Sequence, residues 1–236
     1  MNLSLDGRQP FRLVAESDGP HLFGGPSLHQ GITPAGSEVP IQLVLTLDLS
    51  DIGIPFESNA EISRLPLFYP FKYGSGGPEI QYSVHSNAQI EIHFMSDPEP
   101  DEVGSQYLEV SEFPQCAYRL EPLTYEEARI LGFMNADGYF QPNDSDRLIL
   151  RNLDTANLIS IGGYHPHIWD SMNTTCYNPK CQFYQQRVNF ESLAMLPPIS
   201  VNGDEEFWYE FQGAYMKFCF GLCRYCGAVF GTNISS

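Results

Sequence analysis

Two pairs of closely spaced cysteines constrain the fold of this chain more than any other feature. Cys176 and Cys181 are separated by four residues and Cys223 and Cys226 by two, with Gly227 directly after the second pair. A tight turn with such spacing presents both sulfurs to one point, and a following glycine lets the backbone fold beneath a metal ion. Two such turns brought together supply four thiolates at the corners of a tetrahedron, which suits Zn²⁺. The sequence therefore predicts a structural zinc site formed by Cys176, Cys181, Cys223 and Cys226.

The same cysteines admit other interpretations. They could be unmetallated thiols of an apolar core, or Cys223 and Cys226 could be a redox pair, although the β-α-β pattern of a thioredoxin-like motif does not surround them. The two remaining cysteines, Cys116 and Cys219, fall where buried apolar thiols are expected, and Cys219 competes with the four as a ligand. Four protein ligands close the coordination sphere, so the predicted zinc argues for a role in folding rather than in catalysis.

A catalytic alternative is based on histidines near the first cysteine pair. His165 and His167 lie close to Cys176 in sequence, and Asp170 follows them. An open metal position or a Cys–His nucleophile pair in this stretch would make the protein a metal-dependent or Cys/His hydrolase. The sequence has no GxGxxG, no P-loop, no GxSxG and no HExxH. It therefore assigns no catalytic residue, and the remaining histidines are interpreted as surface or core residues.

Short apolar runs punctuated by 20 glycines and 18 prolines predict many strands and few helices. Ile41–Leu49 has apolar residues at every second position, which predicts a strand with one buried face. Leu65–Tyr73 is aromatic and contains two prolines, which place it at a sheet edge or bulge. Glu79–Val84 is expected to pair back onto it as a hairpin. Gln89–Phe94 and Tyr215–Phe220 show the same alternation as Glu79–Val84.

One helix start has a complete signature. Thr124 and Glu127 fit a capping box, in which each side chain accepts from the other residue's backbone N–H. Gly132 or Gly138 is expected to end this helix, and Asn135–Asp146 is interpreted as a polar loop. Together these elements predict an α+β fold, mostly antiparallel sheet, with a zinc-knuckle element at the C-terminal end.

A weak internal sequence repeat indicates that the chain consists of two related halves. His21–Gln30 and Ser160–Trp169 each contain an apolar residue, two adjacent glycines, and a nearby proline and histidine. Each stretch precedes a strand-rich segment of similar length, as expected of a repeated unit. We therefore expect two related halves, residues 1–110 and 111–236, packed as one globular unit, with the zinc site in the second half.

The charge of the chain bears on its partners. Acidic residues number 29 against 12 Lys and Arg, which gives a net charge of −17. Such a chain repels phosphate backbones, so we expect a basic protein partner and no nucleic acid. The N-terminus lacks a basic start followed by an apolar stretch, and no apolar run approaches the roughly 20 residues that span a bilayer. We therefore expect a cytoplasmic protein that does not bind membranes, and the sequence leaves its oligomeric state open.

Several stretches of the chain also resemble a known family. They are Gly24–Pro26, Pro40–Leu49, Leu67–Tyr69 and Ile161–Met172. The first three are similar to the first half of the YwqG-like proteins, a family of unknown function also called DUF1963, and the fourth looks like the motif of its second half. In that fourth stretch His165 is inserted before the proline, and Trp169 and Ser171 interrupt the usual run. The cysteine pairs are similar to those of some related bacterial proteins and of the eukaryotic programmed-cell-death-2-like relatives.

This resemblance implies an α+β fold of two related halves and no established catalytic residues. It also implies protein binding, since relatives are thought to act beside secreted toxins as immunity proteins or as chaperone-like factors. From the sequence we therefore predict a non-enzymatic intracellular protein-binding protein with a structural zinc site, which serves as an immunity or chaperone-like factor for a basic partner.

Overall fold

The computed structural model describes residues 9–26, 41–52, 62–69, 79–87, 89–95, 113–133, 143–153, 157–163, 172–199 and 216–235 of the chain. Strands dominate these ranges. The strands are β1 (Phe11–Ala15), β2 (His21–Phe23), β3 (Gln42–Asp48), β4 (Arg64–Tyr69), β5 (Ile80–Ser86), β6 (Gln89–Met95), β7 (Cys116–Pro122), β8 (Ser160–Ile161), β9 (Asn173–Thr175), β10 (Arg187–Leu196), β11 (Met216–Cys223) and β12 (Val229–Ser235). The helices are α1 (Leu49–Ile52), α2 (Tyr125–Ile130) and α3 (Asp144–Asn152).

The strands form one antiparallel sheet. Its order is β4-β3-β2-β7-β1-β8-β10-β11-β12-β5-β6, and β9 pairs with β10 off this path. The predicted fold of mostly antiparallel sheet with a few helices is confirmed. In the centre of the sheet, β7 lies between β2 and β1, and β1 lies between β7 and β8. Residues 1–110 and 111–236 therefore contribute alternating strands to the middle of one sheet.

The sheet curls into a half-barrel, so that β4, at one end of the strand order, lies against β5 and β12. The hydroxyl of Tyr82 on β5 donates to the carbonyl oxygen of Pro66 on β4 at 2.7 Å and accepts from the N–H of Phe68 at 3.0 Å. The ring of Tyr69 packs on the ring of Phe218 from β11, with centroids 4.4 Å apart. Residues of these strands belong to the same main hydrophobic core. The burial of their apolar side chains against one another stabilises the curled form of the sheet.

Strand β3 is buried along almost its whole length, not on one face as predicted. Every residue from Gln42 to Leu47 is buried. The strand lies inside the sheet between β2 and β4, so both of its backbone edges are paired and both of its faces are covered. Alternation identified the strand correctly, but a period of two cannot show whether the second face is also covered.

The predicted hairpin between Leu65–Tyr73 and Glu79–Val84 is wrong. Strand β5 pairs with β6 on one side and, over Ile80–Tyr82, with β12 on the other, whereas β4 pairs with β3. Strand β4 does lie at the end of the strand order, as its prolines predicted. It meets β5 through the side chain of Tyr82 rather than through a ladder of backbone hydrogen bonds.

The helices bear out one prediction and correct another. The capping box is present, since Thr124 accepts from the N–H of Glu127 and Glu127 accepts from the N–H of Thr124, and Gly132, with φ of 77°, follows the helix end. Asn143 to Asp146, predicted as loop, instead begin α3 with a capping box of their own, with hydrogen bonds of 3.0 and 2.9 Å. Among the helices in the described ranges, none has the length and apolar character needed to cross a bilayer.

The two double glycines are placed alike. Gly24 and Gly162 each follow a short strand with positive φ, 62° and 68°. The Gly24 N–H donates to the carbonyl oxygen of Val44, and the Gly162 N–H donates to that of Leu193, both at 2.8 Å. Val44 and Leu193 also correspond, because each lies at a register shift, the first between β3 and β4 and the second between β10 and β11.

Replacing Tyr82 with Phe is expected to lower the free energy of unfolding by about 1–3 kcal/mol, because both buried hydrogen bonds of the Tyr82 hydroxyl would be lost. Urea unfolding of both proteins measures the loss. Tyr125→Phe is the control, since Tyr125 is exposed, and its effect should stay within about 0.5 kcal/mol. Equal effects of the two substitutions would contradict a bridging role for the Tyr82 hydroxyl.

Gly24→Ala should destabilise the protein more than Gly162→Ala. A positive φ costs an L-residue about 1–2 kcal/mol at either position. At Gly24 the added Cβ would also lie 2.6 Å from the carbonyl oxygen of Pro114, whereas at Gly162 the nearest atom is 3.8 Å away. Urea unfolding of the two variants checks the order, and losses of the same size would show that the clash at Gly24 is relieved by a backbone shift.

Candidate metal centre

The first cysteine pair lies in the loop between β9 and β10. We call this loop, from Cys176 to Gln186, the first knuckle. The Cys176 N–H donates to the carbonyl oxygen of Gln186 at 3.0 Å, and the Gln185 N–H donates to that of Cys176 at 2.8 Å. Within the loop the Cys181 N–H donates to the carbonyl oxygen of Asn178 at 2.9 Å. These bonds fold the chain back on itself so that the two sulfurs lie on the same side.

The second cysteine pair lies in the turn between β11 and β12. We call this turn, from Cys223 to Ala228, the second knuckle. The Cys223 N–H donates to the carbonyl oxygen of Ala228, and the Gly227 N–H donates to that of Cys223, both at 2.8 Å. The same two backbone bonds close both knuckles, and the next-to-last residue has positive φ in each, 57° at Gln185 and 70° at Gly227. The glycine after the second pair therefore serves the turn that the sequence predicted.

The two knuckles bring four sulfur atoms together. All four lie within 4.8 Å of one another, with 3.8 Å between those of Cys176 and Cys226 and 4.0 Å between those of Cys181 and Cys223. Sulfurs at the usual Zn–S distance of about 2.3 Å form a tetrahedron with edges of about 3.8 Å, whereas a disulfide would need about 2.05 Å. The four cysteines selected from the sequence therefore lie close enough to bind one metal ion.

Backbone N–H groups point at the sulfurs from within the knuckles. The donors are Asn178 for Cys176, Phe183 for Cys181, Tyr225 and Cys226 for Cys223, and Ala228 for Cys226. Such hydrogen bonds stabilise negative charge on sulfur. Each knuckle therefore favours the thiolate, which is the form of cysteine that binds metals.

The thiols also share protons with one another. Hydrogen bonds from the thiols of Cys176 and Cys226 lower the pKa of Cys223 to about 3. The hydrogen bond to Cys223 raises the pKa of Cys176 to about 12, and those with Cys176 and Cys223 raise the pKa of Cys226. A cation at the centre would replace the shared protons, so metal binding is expected to release protons and to weaken in acid.

The sulfurs lie in an apolar environment. Cys176, Cys181 and Cys223 are buried and Cys226 is partly buried. The buried side chains that share their cluster are Met172, Val188, Phe190, Cys219, Ala228 and Phe230. An apolar shell keeps water away from the metal–sulfur bonds, and an all-sulfur donor set favours zinc, Cu(I) or iron over hard cations such as Mg²⁺ and Ca²⁺.

Other contacts join the knuckles to each other and to the sheet. Arg224, within the second knuckle, lies with its Nε 3.2 Å from the Oε1 of Glu191 on β10, whose side chain is 2% exposed. The Arg224 guanidinium is 5.9 Å from the ring of Tyr225. The ring of Tyr225 packs on that of Phe183 from the first knuckle, with centroids 4.3 Å apart. An aromatic contact between the knuckles and a partly buried ion pair to β10 therefore also help to hold the knuckles in place.

The two remaining cysteines differ in burial. Cys219 is fully buried in β11, as expected of a structural thiol, and burial raises its pKa to about 12. Its sulfur is not among those that converge within the described residues. Cys116, at the start of β7, is only half-buried, less than predicted, and burial raises its pKa as well.

One of the histidines outside the hydrolase interpretation, His21, is a core residue, as predicted. His21 is fully buried, its Nδ1 accepts from the N–H of Asp48 at 3.0 Å, and its Nε2 lies 3.4 Å from the carboxylate of Asp51. Burial lowers its pKa, which fits a neutral core histidine. The residues of the hydrolase interpretation, His165, His167 and Asp170, lie outside the described part of the chain.

Sequence reasoning missed the residues that hold the first knuckle in place. They lie on the β5–β6 hairpin, and the side chain of Gln81 reaches the backbone of Thr175, 94 positions later in the chain. In the sequence Gln81 is only the polar member of an alternating strand. No local pattern marks it, because its role comes from a contact between distant segments.

No protein-family model, no curated protein and no solved structure matches this chain.

The purified protein is expected to bind one Co²⁺ or Zn²⁺ per chain, and Co²⁺ should give the intense absorption of a tetrahedral thiolate site. Removal of the metal by a chelator should lower the free energy of unfolding, because the folded state alone forms the site. Cys223→Ser should abolish tight binding, since it removes one ligand. Cys219→Ser is the matched control and should retain binding. Equal loss in both variants, or no uptake by the wild type, would count against the site.

Proposed function

We propose that the ion held by Cys176, Cys181, Cys223 and Cys226 is Zn²⁺ and that its role is structural. The donor set is sulfur alone, the distances between sulfurs fit a tetrahedron, and the surroundings are apolar. Four protein ligands fill the coordination sphere and leave no position for substrate. The zinc would join the β9–β10 loop to the β11–β12 turn, much as a crosslink does.

We propose further that the protein is a non-enzymatic binding protein for a basic protein partner. The observation that carries this proposal is the closed set of four sulfurs, which supplies architecture rather than a reaction. The net charge of −17 supports a basic partner. Of the 29 acidic residues, only Glu191 lies within residues 172–199 and 216–235, which contain the knuckles and their strands. The partner is therefore expected to bind outside these two ranges.

The role as an immunity or chaperone-like factor, and a cytoplasmic location, also belong to this proposal. The role follows from the resemblance to the YwqG-like proteins. The two related halves implied by that resemblance are supported by the two double glycines, which make equivalent bonds to Val44 and Leu193. Because β7 and β1 are central neighbours and β2 and β8 flank them, the halves would be related by an approximate twofold axis between β1 and β7.

Affinity capture with the metal-loaded protein as bait tests the binding function. We expect a basic protein to be retained at low salt and released at high salt, because salt screens attraction between exposed charges. Once purified, that protein should bind the bait again in stoichiometric amount. An unrelated acidic protein of similar charge is the control bait. Recovery of nothing beyond that control, or binding that salt leaves unchanged, would contradict the proposed basic partner.

A further inference from the structure

One buried side chain fastens the first knuckle to the β5–β6 hairpin. Gln81, on β5, is fully buried. Its Nε2 donates to the carbonyl oxygen of Thr175 at 2.7 Å, and its Oε1 accepts from the N–H of Tyr177 at 3.0 Å. These two backbone groups belong to the residues immediately before and after Cys176. The amide of Gln81 therefore spans one of the four sulfur ligands and fixes the backbone on both sides of it.

Neighbouring contacts join the same two surfaces. The Nδ2 of Asn178 donates to the Oγ of Ser83 at 3.2 Å, and that Oγ lies 2.7 Å from the Nε2 of His93 on β6. The ring of Tyr177 stacks on that of Phe94, with centroids 4.1 Å apart and an angle of 12° between the rings. The first knuckle therefore lies on both strands of the hairpin.

The same strand also supports the second knuckle. Strand β12 begins directly after that knuckle, and its Val229 and Phe230 pair with Tyr82 and Gln81 of β5. Strand β5 is thus joined to the second knuckle by backbone pairing and to the first by the side chain of Gln81. It is a shared support for all four sulfurs.

We propose that Gln81 is a positioning residue of the metal site and that metal binding is coupled to docking of the β5–β6 hairpin. This inference rests on the proposed metal site. Without the Gln81 amide, the carbonyl of Thr175 and the N–H of Tyr177 lose their partner and would have to move toward water. That movement carries Cys176 out of the tetrahedron. In the other direction, a metal that holds Cys176 in place keeps both backbone groups presented to Gln81.

Co²⁺ titration of the full-length Gln81→Leu variant tests the coupling. We expect the affinity for Co²⁺ to fall roughly 10–100-fold, the range usual for loss of a residue that supports a metal ligand. The tetrahedral thiolate spectrum should still appear at saturation, because all four sulfurs remain. Gln89→Leu is the matched control, since Gln89 is exposed on the other strand of the same hairpin, and its affinity should equal that of the wild type.

A second measurement separates positioning from a general loss of stability. If Gln81 only stabilised the sheet, Gln81→Leu would lower the free energy of unfolding equally with and without metal. If it positions Cys176, the substitution reduces the increment that metal adds to stability. The positioning role is overturned if Gln81→Leu loses the same free energy of unfolding with and without metal. It is also overturned if the wild type binds Co²⁺ and Gln81→Leu binds it with the same affinity. Neither result would count against the metal site itself.

If Gln81→Leu does not fold, hydrogen exchange of the backbone amides in the wild-type protein tests the coupling instead. Removal of Co²⁺ by a chelator should speed exchange of the Tyr177 N–H and of the amides of β5, while β3 stays protected. Unchanged exchange in β5 would overturn the coupling. A wild-type protein that takes up no Co²⁺ would instead overturn the metal site itself, and the coupling with it.

Discussion

Four thiol groups held within 4.8 Å of one another cannot all ionise unless a cation lies between them, and the C-terminal strands are arranged around this constraint. The backbone N–H groups of each knuckle lower the free energy needed to ionise its thiols, but burial among apolar side chains raises it. A divalent ion would resolve the conflict by replacing shared protons with coordinate bonds. Such an ion would link two segments that are far apart in sequence, and it would stabilise the folded chain because only the folded chain forms the site.

Side chains join parts of the structure that are not connected by backbone pairing between strands. Successive residues of a strand point to opposite faces, and on β5 two neighbours use this alternation for different purposes. Tyr82 reaches β4 and closes the curl of the sheet, whereas Gln81 reaches the first knuckle and supports a sulfur ligand. Both bind backbone groups from distant strands, so β5 ties the half-barrel and the metal centre together.

Features determined by neighbouring residues could be predicted from the sequence. The spacing of the four cysteines, the capping box at Thr124 and the edge position of β4 all follow from local rules, and the structure has each of them. Helix α3 was missed because its Asn143 and Asp146 were interpreted as loop residues, although Asn and Asp also make a capping box.

Features determined by distant contacts could not be predicted in this way. The partners of β5, the burial of β3 on both faces and the role of Gln81 depend on which strands become neighbours. A period of two is the same for a strand covered on one side and for one covered on both. The sequence could select the sulfur ligands, but not the strand that holds them.

The interleaving of β2, β7, β1 and β8 has a consequence for biosynthesis. When β1 and β2 leave the ribosome, the strand that belongs between them has yet to be made, and their edges stay open until synthesis is well past the middle of the chain. Open edges invite pairing with other molecules. A nascent or truncated polypeptide of this type is therefore at risk of exchanging strands with a second copy. The speed of translation up to β7 sets how long the edges of β1 and β2 stay open.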